Sequence, residues 1–347
     1  MKRNMMIGNR IERAKMSCHK GFLSLLLCVL SSLSLFTSCS SIDEDLSDCG
    51  NEYEMEYELQ LITNIETELQ TQLTTQAEMR VADALREHLA NIFTAFARDI
   101  DLSFYDTGKE ANLLHYESQL MNDNEKSYQL FLPMQKYRHL ALANLQGNSW
   151  VGVTGREQSN TLALEQKQGE TIESHETGIF SARADMDVLE GVDQTFHVKL
   201  LMANCATALV IENPEGVEVK DIQVYATGFA TGFQVNTNTY TFVGDSPLVH
   251  AQPVDTGIDN MLCFCAVNFP SRDQAEGDEP LWEYRVYVTL ADGTVTETIL
   301  KISEPLCAGE FKLVVGQLDR DGSVRTDNSE VATSVTLDWK SGLEIEY

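Results

Sequence analysis

The sequence predicts a mainly β protein made of two tandem antiparallel β-sandwich domains, with one amphipathic helix in the N-terminal domain. Three observations predict this class: a strictly alternating segment near residue 53, one long stretch of helical periodicity, and many short β segments separated by turn residues. With 43% hydrophobic residues among 347, the chain is apolar enough to build cores. Its 7 prolines and 21 glycines exclude collagen-like and low-complexity chains.

Residues 1–38 have the pattern of a lipoprotein signal peptide. Six basic residues precede an apolar run from Phe22 to Phe36, which is the order of a secretory n-region and h-region. Two small residues and then Cys39 end the run, as lipoprotein signal peptidase cleavage requires. The alternative is a membrane-spanning anchor, but the run has about 15 residues and a spanning helix needs roughly 20. Cys39 is therefore the predicted lipidation site and the first mature residue.

An acidic tether over residues 39–51 is predicted to separate the acyl chains from the first strand. Cleavage before Cys39 removes six basic residues and one acidic residue, which leaves 19 basic and 52 acidic side chains and a net charge of −33. Nucleic acid is excluded as a partner because phosphates require a basic face. A body this acidic is also repelled by anionic lipid unless it is covalently attached.

The N-terminal domain is predicted over residues 52–190. Apolar residues alternate with Glu and Gln from Tyr53 to Leu61, which predicts a half-buried strand. Apolar residues at spacings of three and four predict one amphipathic helix over 78–100. Short strands are then predicted at 102–105, 113–120, 128–132 and 139–145. Large apolar residues are scarce over 146–194, so the domain join is placed near Glu190 and Gly191.

The C-terminal domain, residues 191–347, is predicted to contain strands and no helix of comparable length. Its strands are predicted at 195–202, 206–212, 217–226, 239–243, 262–269, 282–290, 294–302, 310–315 and 335–339. A direct repeat of Ala-Thr-Gly-Phe occupies residues 226–233. No Lys-Ser or Lys-Thr follows its glycines, so it predicts a glycine-relieved strand edge or bulge rather than a phosphate loop.

No catalytic, cofactor-binding or metal site is predicted, and the chain is not expected to be an enzyme. The six histidines of the mature chain are scattered, and neither HExxH nor GxSxG occurs. Residues 319–323 begin like a calcium loop but lack the closing Glu, so a hairpin turn is predicted there. Two carboxylates close together in the sequence are not evidence for glycoside hydrolysis in a chain whose mature part has 52 of them.

Five cysteines follow Cys39 in the mature chain. Export makes a disulfide possible, but Cys263 and Cys265 lie two apart on a predicted strand, share one face and are badly placed to bond each other. The five are Cys49, Cys205, Cys263, Cys265 and Cys307. We expect the last four of these to be mostly buried small hydrophobic residues, with one disulfide among the rest possible.

Four segments are informative when taken together: residues 38–49, the alternating strand from Tyr53, residues 101–109, and residues 128–144 with their Leu-Pro turn. Together they resemble the FimB/Mfa2 family of Bacteroidetes fimbrial subunits. The acidic stretch of the tether also resembles the signal that exports Bacteroidetes lipoproteins to the cell surface. One departure is that Asn144 and Leu145 stand where the family has an aromatic residue.

The resemblance implies transthyretin-like sandwiches and a subunit that is lipidated on Cys39 at the outer membrane. It implies that the protein anchors a type V pilus and helps to limit its length. The implied partners are other fimbrial subunits, including the pilus shaft protein, joined by strand complementation, and the outer membrane through the acyl chains on Cys39. It implies no cofactor.

Three alternatives stay open from the sequence. A surface glycan-binding lipoprotein would expose aromatic platforms, for which Trp150, Trp282 and Trp339 are available, although the last two lie in predicted strands. A shaft or tip fimbrillin would be released by cleavage after an arginine, nominally Arg80, Arg86 or Arg98, and would lose Cys39. An exported hydrolase has no motif to support it.

Overall fold

The computed structural model describes residues 51–62, 64–122, 126–167, 171–214, 216–275, 280–326 and 331–337. The signal peptide, Cys39, Cys49, nearly all of the tether and Trp339 lie outside the described residues, so predictions about them stay predictions. The described residues, which begin at Asn51, belong to one structural unit.

The described residues form two helices and a long series of strands. The helices are α1 (Ile65–Gln72) and α2 (Gln76–Ile92). The strands are β1 (Asn51–Gln60), β2 (Asp99–Asp106), β3 (Leu113–Leu120), β4 (Ser127–Leu132), β5 (Lys136–Ala143), β6 (Val151–Thr154), β7 (Ala163–Gln166), β8 (Thr171–Glu173), β9 (Phe180–Asp187), β10 (Thr195–Met202), β11 (Cys205–Glu212), β12 (Val219–Thr227), β13 (Gly232–Gln234), β14 (Thr239–Thr241), β15 (Leu248–His250), β16 (Gln252–Pro253), β17 (Met261–Asn268), β18 (Trp282–Leu290), β19 (Val295–Ile302), β20 (Phe311–Leu318), β21 (Val324–Arg325) and β22 (Val331–Leu337). The predicted mainly β class is confirmed.

The predicted helix over 78–100 is α2, but it ends eight residues earlier than predicted. A capping box at Thr75 and Glu78 begins it: each side chain accepts a hydrogen bond from the backbone N–H of the other residue. The apolar residues Phe93 and Phe96, which extended the helical periodicity, lie in the turn before β2. The short helix α1 was not predicted, because eight residues with few apolar positions give little periodic signal.

The strands form four sheets. A seven-stranded sheet has the order β3-β2-β5-β9-β10-β1-β4, and a five-stranded sheet has the order β16-β17-β11-β20-β21. A six-stranded sheet has the order β22-β19-β18-β12-β15-β8, and a four-stranded sheet has the order β14-β13-β7-β6. Most neighbours are antiparallel, but three pairs are parallel: β1 with β10, β11 with β20, and β8 with β15.

Three apolar cores join these sheets into layers. The first packs the seven-stranded sheet and the helices against one face of the five-stranded sheet, where Ala208 and Cys265 lie. The second fills the space between the other face of that sheet and the six-stranded sheet, with Leu209 and Tyr284 among its members. The third packs the outer face of β2 and β5 against the four-stranded sheet. Sheet-on-sheet packing therefore dominates the fold.

The sheets do not divide where the domain join was placed. Strand β10, predicted to begin the C-terminal domain, pairs with β1 and β9 in the seven-stranded sheet. Strand β7 pairs with β13, and β8 pairs with β15, so two other sheets also take strands from both sides of Glu190 and Gly191. Alternation identifies a half-buried strand but does not identify its partner, which explains the difference.

Two turn predictions are confirmed. Gly228 has a φ of 100°, and a Cβ there would lie 2.6 Å from Trp282 Cα, so the repeat does contain a glycine-relieved position. Gly322 N donates to Asp319 O at 3.1 Å in the hairpin between β20 and β21. Neither α1 nor α2 is long and apolar enough to cross a membrane.

Candidate functional site

The seven-stranded sheet curls until its two edge strands approach each other. Tyr57 of β1 and His139 of β5 are separated by two strands, yet Tyr57 Oη lies 3.1 Å from His139 Nε2. At the sheet's opposite edges, Tyr128 of β4 contacts Glu117 of β3. Neighbouring strands lie about 4.8 Å apart, so side chains on the first and last of seven strands can meet only if the sheet is strongly curved. We call the gap between β3 and β4 the seam.

The backbone edges along the seam have no second ladder partner within the described part of the chain. Strand β3 pairs with β2, and β4 pairs with β1. At the start of β3, Leu113 N donates to Glu157 O at 2.8 Å, outside any ladder. An edge strand presents N–H and C=O groups that another strand can bind. The seam therefore offers two such edges facing each other.

Side chains bridge the seam in place of backbone hydrogen bonds. Tyr128 Oη donates to Glu117 Oε2 at 2.5 Å, and Gln119 Nε2 donates to Tyr128 Oη at 2.9 Å. On the other carboxylate oxygen, Glu117 Oε1 lies 2.6 Å from His115 Nε2. Burial and the hydrogen bond to Glu117 raise the pKa of Tyr128 to about 12, so its hydroxyl stays a donor at neutral pH. Glu117, Gln119 and Tyr128 form what we call the clasp.

A buried pair lies beneath the clasp. His139 Nδ1 is 3.2 Å from Ser103 O, so this nitrogen carries the proton and Nε2 accepts a hydrogen bond from Tyr57 Oη. Burial lowers the pKa of His139 to about 4, and its neutral ring stacks on Phe104 at 4.4 Å between centroids. Burial and then the charge of Glu117 raise the pKa of Tyr57. The curled sheet is thus fixed by neutral, directional contacts.

The outer side of the seam is apolar. Leu114, Tyr116 and Leu120 of β3 are 46%, 40% and 73% exposed, and Phe131 of β4 is 62% exposed. The ring of Tyr116 lies 4.2 Å below the guanidinium carbon of Arg156. Exposed apolar residues alternating along an unpaired edge are typical of a surface to which another strand is added.

The sequence analysis did not identify the clasp. On β3 the polar side chains of His115, Glu117 and Gln119 turn inward, while Leu114 and Leu120 turn outward. Alternation predicted the strand correctly, but the usual assumption that apolar residues face inward gives the wrong face here. Polar residues at the half-buried positions and apolar residues at the exposed ones were the available signal.

The nominal cleavage sites are poorly presented to a protease. Arg80 and Arg86 lie within α2, and Arg86 forms ion pairs with Glu66 and Asp83. Arg98 lies in the turn before β2, where its backbone N–H donates to Asn144 Oδ1 at 2.7 Å. Because proteases cleave extended chain segments, cleavage after Arg80 or Arg86 requires α2 to unwind.

The tryptophan and cysteine predictions can be compared directly with the structure. Trp282 lies in a strand, as predicted, where it is buried and its Nε1 donates to Glu304 O at 2.9 Å. Trp150 is partly buried beneath Lys167 Nζ, which lies 4.6 Å from its ring. Cys205, Cys263 and Cys265 are buried, which confirms the prediction for these three, whereas Cys307 is partly exposed.

Within the described ranges, no three His, Cys, Asp or Glu side chains are grouped to hold a metal ion. His139 and His175 are both fully buried, and His175 Nε2 lies 3.0 Å from Gln166 Oε1. These histidines are parts of packed cores.

Comparison with known proteins gave no matching family model and no matching curated protein. Solved structures do match. A putative adhesin from Bacteroides thetaiotaomicron is 12% identical over 85% of this chain and 100% of its own, with a TM-score of 0.49. A structure from the same organism, described as putative polysaccharide binding proteins, is 11% identical over 83% of this chain and 99% of its own, with a TM-score of 0.48.

A third similar structure is the fimbrial anchor protein Mfa2 from Porphyromonas gingivalis. It is 11% identical over 80% of this chain and 95% of its own, with a TM-score of 0.44. The solved structures to which the chain is similar therefore include an anchor protein of the Mfa2-like fimbrial family that the sequence resembles.

Proposed function

We propose that the chain is a fimbrial subunit anchored in the outer membrane by acyl chains on Cys39 and exposed at the cell surface. It receives a strand from another pilus subunit in the seam, anchors the pilus and helps to limit its length. The seam is the single observation that carries the assembly role, because it combines an apolar rim with two edges that have no second ladder partner among the described residues. The sequence around Cys39 supports the anchor.

The proposal includes tandem transthyretin-like sandwiches within residues 52–347, but does not divide them at Glu190 and Gly191, because three sheets take strands from both sides of that point. The support is architectural: the five-stranded and six-stranded sheets pack face to face over a shared core. It also includes the absence of enzymatic activity.

The seam defines the partner strand that it would accept. An inserted strand would hydrogen-bond to β3 on one side and to β4 on the other. Its outward side chains would lie beside Leu114, Tyr116, Leu120 and Phe131 and should be apolar. One of its inward side chains would meet the clasp, and should be polar to replace the contact between Tyr128 and Glu117. Length control would follow if one strand occupies each seam.

Mass spectrometry of the protein extracted from membranes tests the anchor. We expect a mature N-terminus at an acylated Cys39, and a Cys39→Ala variant released from the membrane with pili shed into the medium. Cys49→Ala is the matched control and should stay attached. A mature N-terminus beyond Arg80 would instead identify a processed shaft or tip subunit. An intact lipoprotein whose loss leaves the pili unchanged would favour the glycan-binding alternative.

Photo-cross-linking in cells tests the seam separately. A photoreactive amino acid replaces Leu120, with the similarly exposed Val243 as the control position. We expect Leu120 to cross-link to a terminal, extended segment of another subunit of the same pilus, and Val243 not to do so. Equal cross-linking at both positions, or cross-links from Leu120 to the folded body of a partner only, would contradict strand insertion.

A further inference from the structure

Two cysteines lie where the loop before β20 meets the start of β11. Cys205 is the first residue of β11 and is fully buried, and Cys307 lies partly exposed in the loop before β20. Both carry free thiols. Cys263 and Cys265 belong to the other core, on the opposite face of the five-stranded sheet from Cys205. The pair Cys205 and Cys307 is therefore separate from the other two described cysteines.

Backbone hydrogen bonds on both sides of Cys205 hold this loop against β11. Gly309 N donates to Asn204 O at 2.9 Å, and Ala206 N donates to Glu310 O at 3.0 Å. The residues before and after the cysteine are thus both bound to the segment that follows Cys307. The loop cannot move away from Cys205 without breaking these bonds.

A tight turn brings Cys307 back toward the start of β11. Glu310 N donates to Cys307 O at 3.2 Å, the i to i+3 bond of a β-turn. The preceding residue, Leu306, is fixed as well: its N–H donates to Ser271 Oγ at 2.9 Å, and its carbonyl accepts from Ser271 N at 3.0 Å. Both sides of Cys307 are held in place.

The segment that fixes Leu306 also touches the Cys205 thiol. Cys205 Sγ lies 3.4 Å from the carbonyl oxygen of Asn268, three residues before Ser271. Residues 268–271 therefore contact both the Cys205 thiol and the residue that precedes Cys307. Burial, and after it the charge of Cys307, raises the pKa of Cys205.

We propose that Cys205 and Cys307 form a disulfide after export, joining β11 to the loop before β20. This inference rests on the export that the proposed function includes, since disulfides persist in oxidising compartments. The oxidant is the disulfide of an exported thiol oxidase. The partly exposed Cys307 thiolate attacks that disulfide and releases one oxidase thiolate. Cys205 then attacks Cys307 Sγ and releases the second.

The exchange is balanced. Two protein thiols lose two electrons and two protons, and the oxidase disulfide takes them up as two thiols. Cys307 is the better initial nucleophile because it is the more accessible of the two. The new bond closes a loop of about 100 residues, which restricts the unfolded chain more than a short loop would.

Peptide mapping of the wild-type protein isolated from the cell envelope tests the proposal. Free thiols are alkylated with iodoacetamide under denaturing, non-reducing conditions before digestion. We expect one peptide pair linked through Cys205 and Cys307, with Cys263 and Cys265 alkylated. Reduction should lower the melting midpoint by about 5 °C. Cys307→Ser should abolish that difference, whereas Cys263→Ala should retain it.

A second preparation separates failure of the inference from failure of the export proposal. The protein is produced reduced in a cytosol and then incubated with oxidised glutathione. If the link forms in that preparation but not in cells, the two cysteines are placed to bond but the protein does not reach an oxidising compartment. The native protein would then lack the disulfide. If both cysteines are alkylated in both preparations, or if Cys307 is bridged to Cys49, then Cys205 and Cys307 are not placed to bond each other and the inference is wrong.

Discussion

The buried histidines His139 and His175 make stability depend on pH. Burial lowers their pKa values to about 4 and about 3, while the unfolded chain titrates near 6.5. Below pH 6.5 the two histidines therefore bind protons in the unfolded state but remain unprotonated in the folded state. Stability is full above that pH and is lost as the pH falls toward 4 for His139 and toward 3 for His175.

We expect the loss to be about 2 kcal/mol per histidine between pH 7 and pH 5. Urea unfolding at the two pH values measures it. His139→Gln and His175→Gln should each remove about that much of the difference, whatever they do to stability at pH 7. His197→Gln on the exposed surface of β10 is the control. If His139→Gln and His175→Gln keep the wild-type difference, as His197→Gln should, the buried histidines do not set the pH dependence.

The clasp gives a second prediction at the level of single atoms. Tyr128→Phe removes the hydroxyl that donates to Glu117 and accepts from Gln119, and leaves two half-buried polar groups with one partner fewer. We expect the free energy of unfolding to fall by about 1–2 kcal/mol. Gln129→Ala, an exposed neighbour on β4, should change it by less than about 0.5 kcal/mol. Equal effects from both variants would mean that the clasp adds nothing.

At the scale of elements, the capping box explains why α2 begins where it does. Thr75→Ala removes the oxygen that accepts from Glu78 N, and should cost about 1 kcal/mol. Thr74→Ala is the matched control, because the backbone N–H of Thr74, which donates to Glu78, survives that substitution. Thermal unfolding of the two variants checks the difference, and an equal melting midpoint would show that the box does not stabilise the helix.

The elements also show how far the sequence could predict the structure. Strands β3 and β18 begin and end at the predicted residues, because period-two alternation bounded by turns is a local signal. The short strands β6, β7 and β13 were missed, since three or four residues carry no measurable period. The pairing of β10 was also missed, because its partner β1 lies more than a hundred residues away.

For the candidate site, the sequence predicted the mode of binding but not the location. Strand addition at an open edge followed from the family resemblance, but the edge itself depends on the curl of the whole sheet. That curl is set by contacts such as Tyr57 with His139, which join residues 82 apart in the chain. No local pattern encodes such a contact. The inward turn of Glu117 likewise follows from the closed shape of the sheet rather than from its own strand.

At the scale of the whole molecule, charge opposes the compact state. The chain carries a net charge of −28, with 53 acidic and 25 basic side chains. The exposed ion pairs that offset it, such as Arg86 with Glu66, contribute little individually. Folding brings the uncompensated carboxylates closer together than in the unfolded chain, so self-repulsion lowers stability.

Salt should therefore stabilise this protein. Raising NaCl from 50 to 500 mM shortens the Debye length from roughly 14 to 4 Å, which weakens repulsion across the surface more than it weakens contact ion pairs. We expect the melting midpoint at pH 7.5 to rise by about 3–5 °C, and by about as much with KCl, because screening does not depend on the cation. A midpoint that is unchanged or falls would mean that attractive pairs outweigh the net charge, and that the excess carboxylates are spaced widely enough to be tolerated.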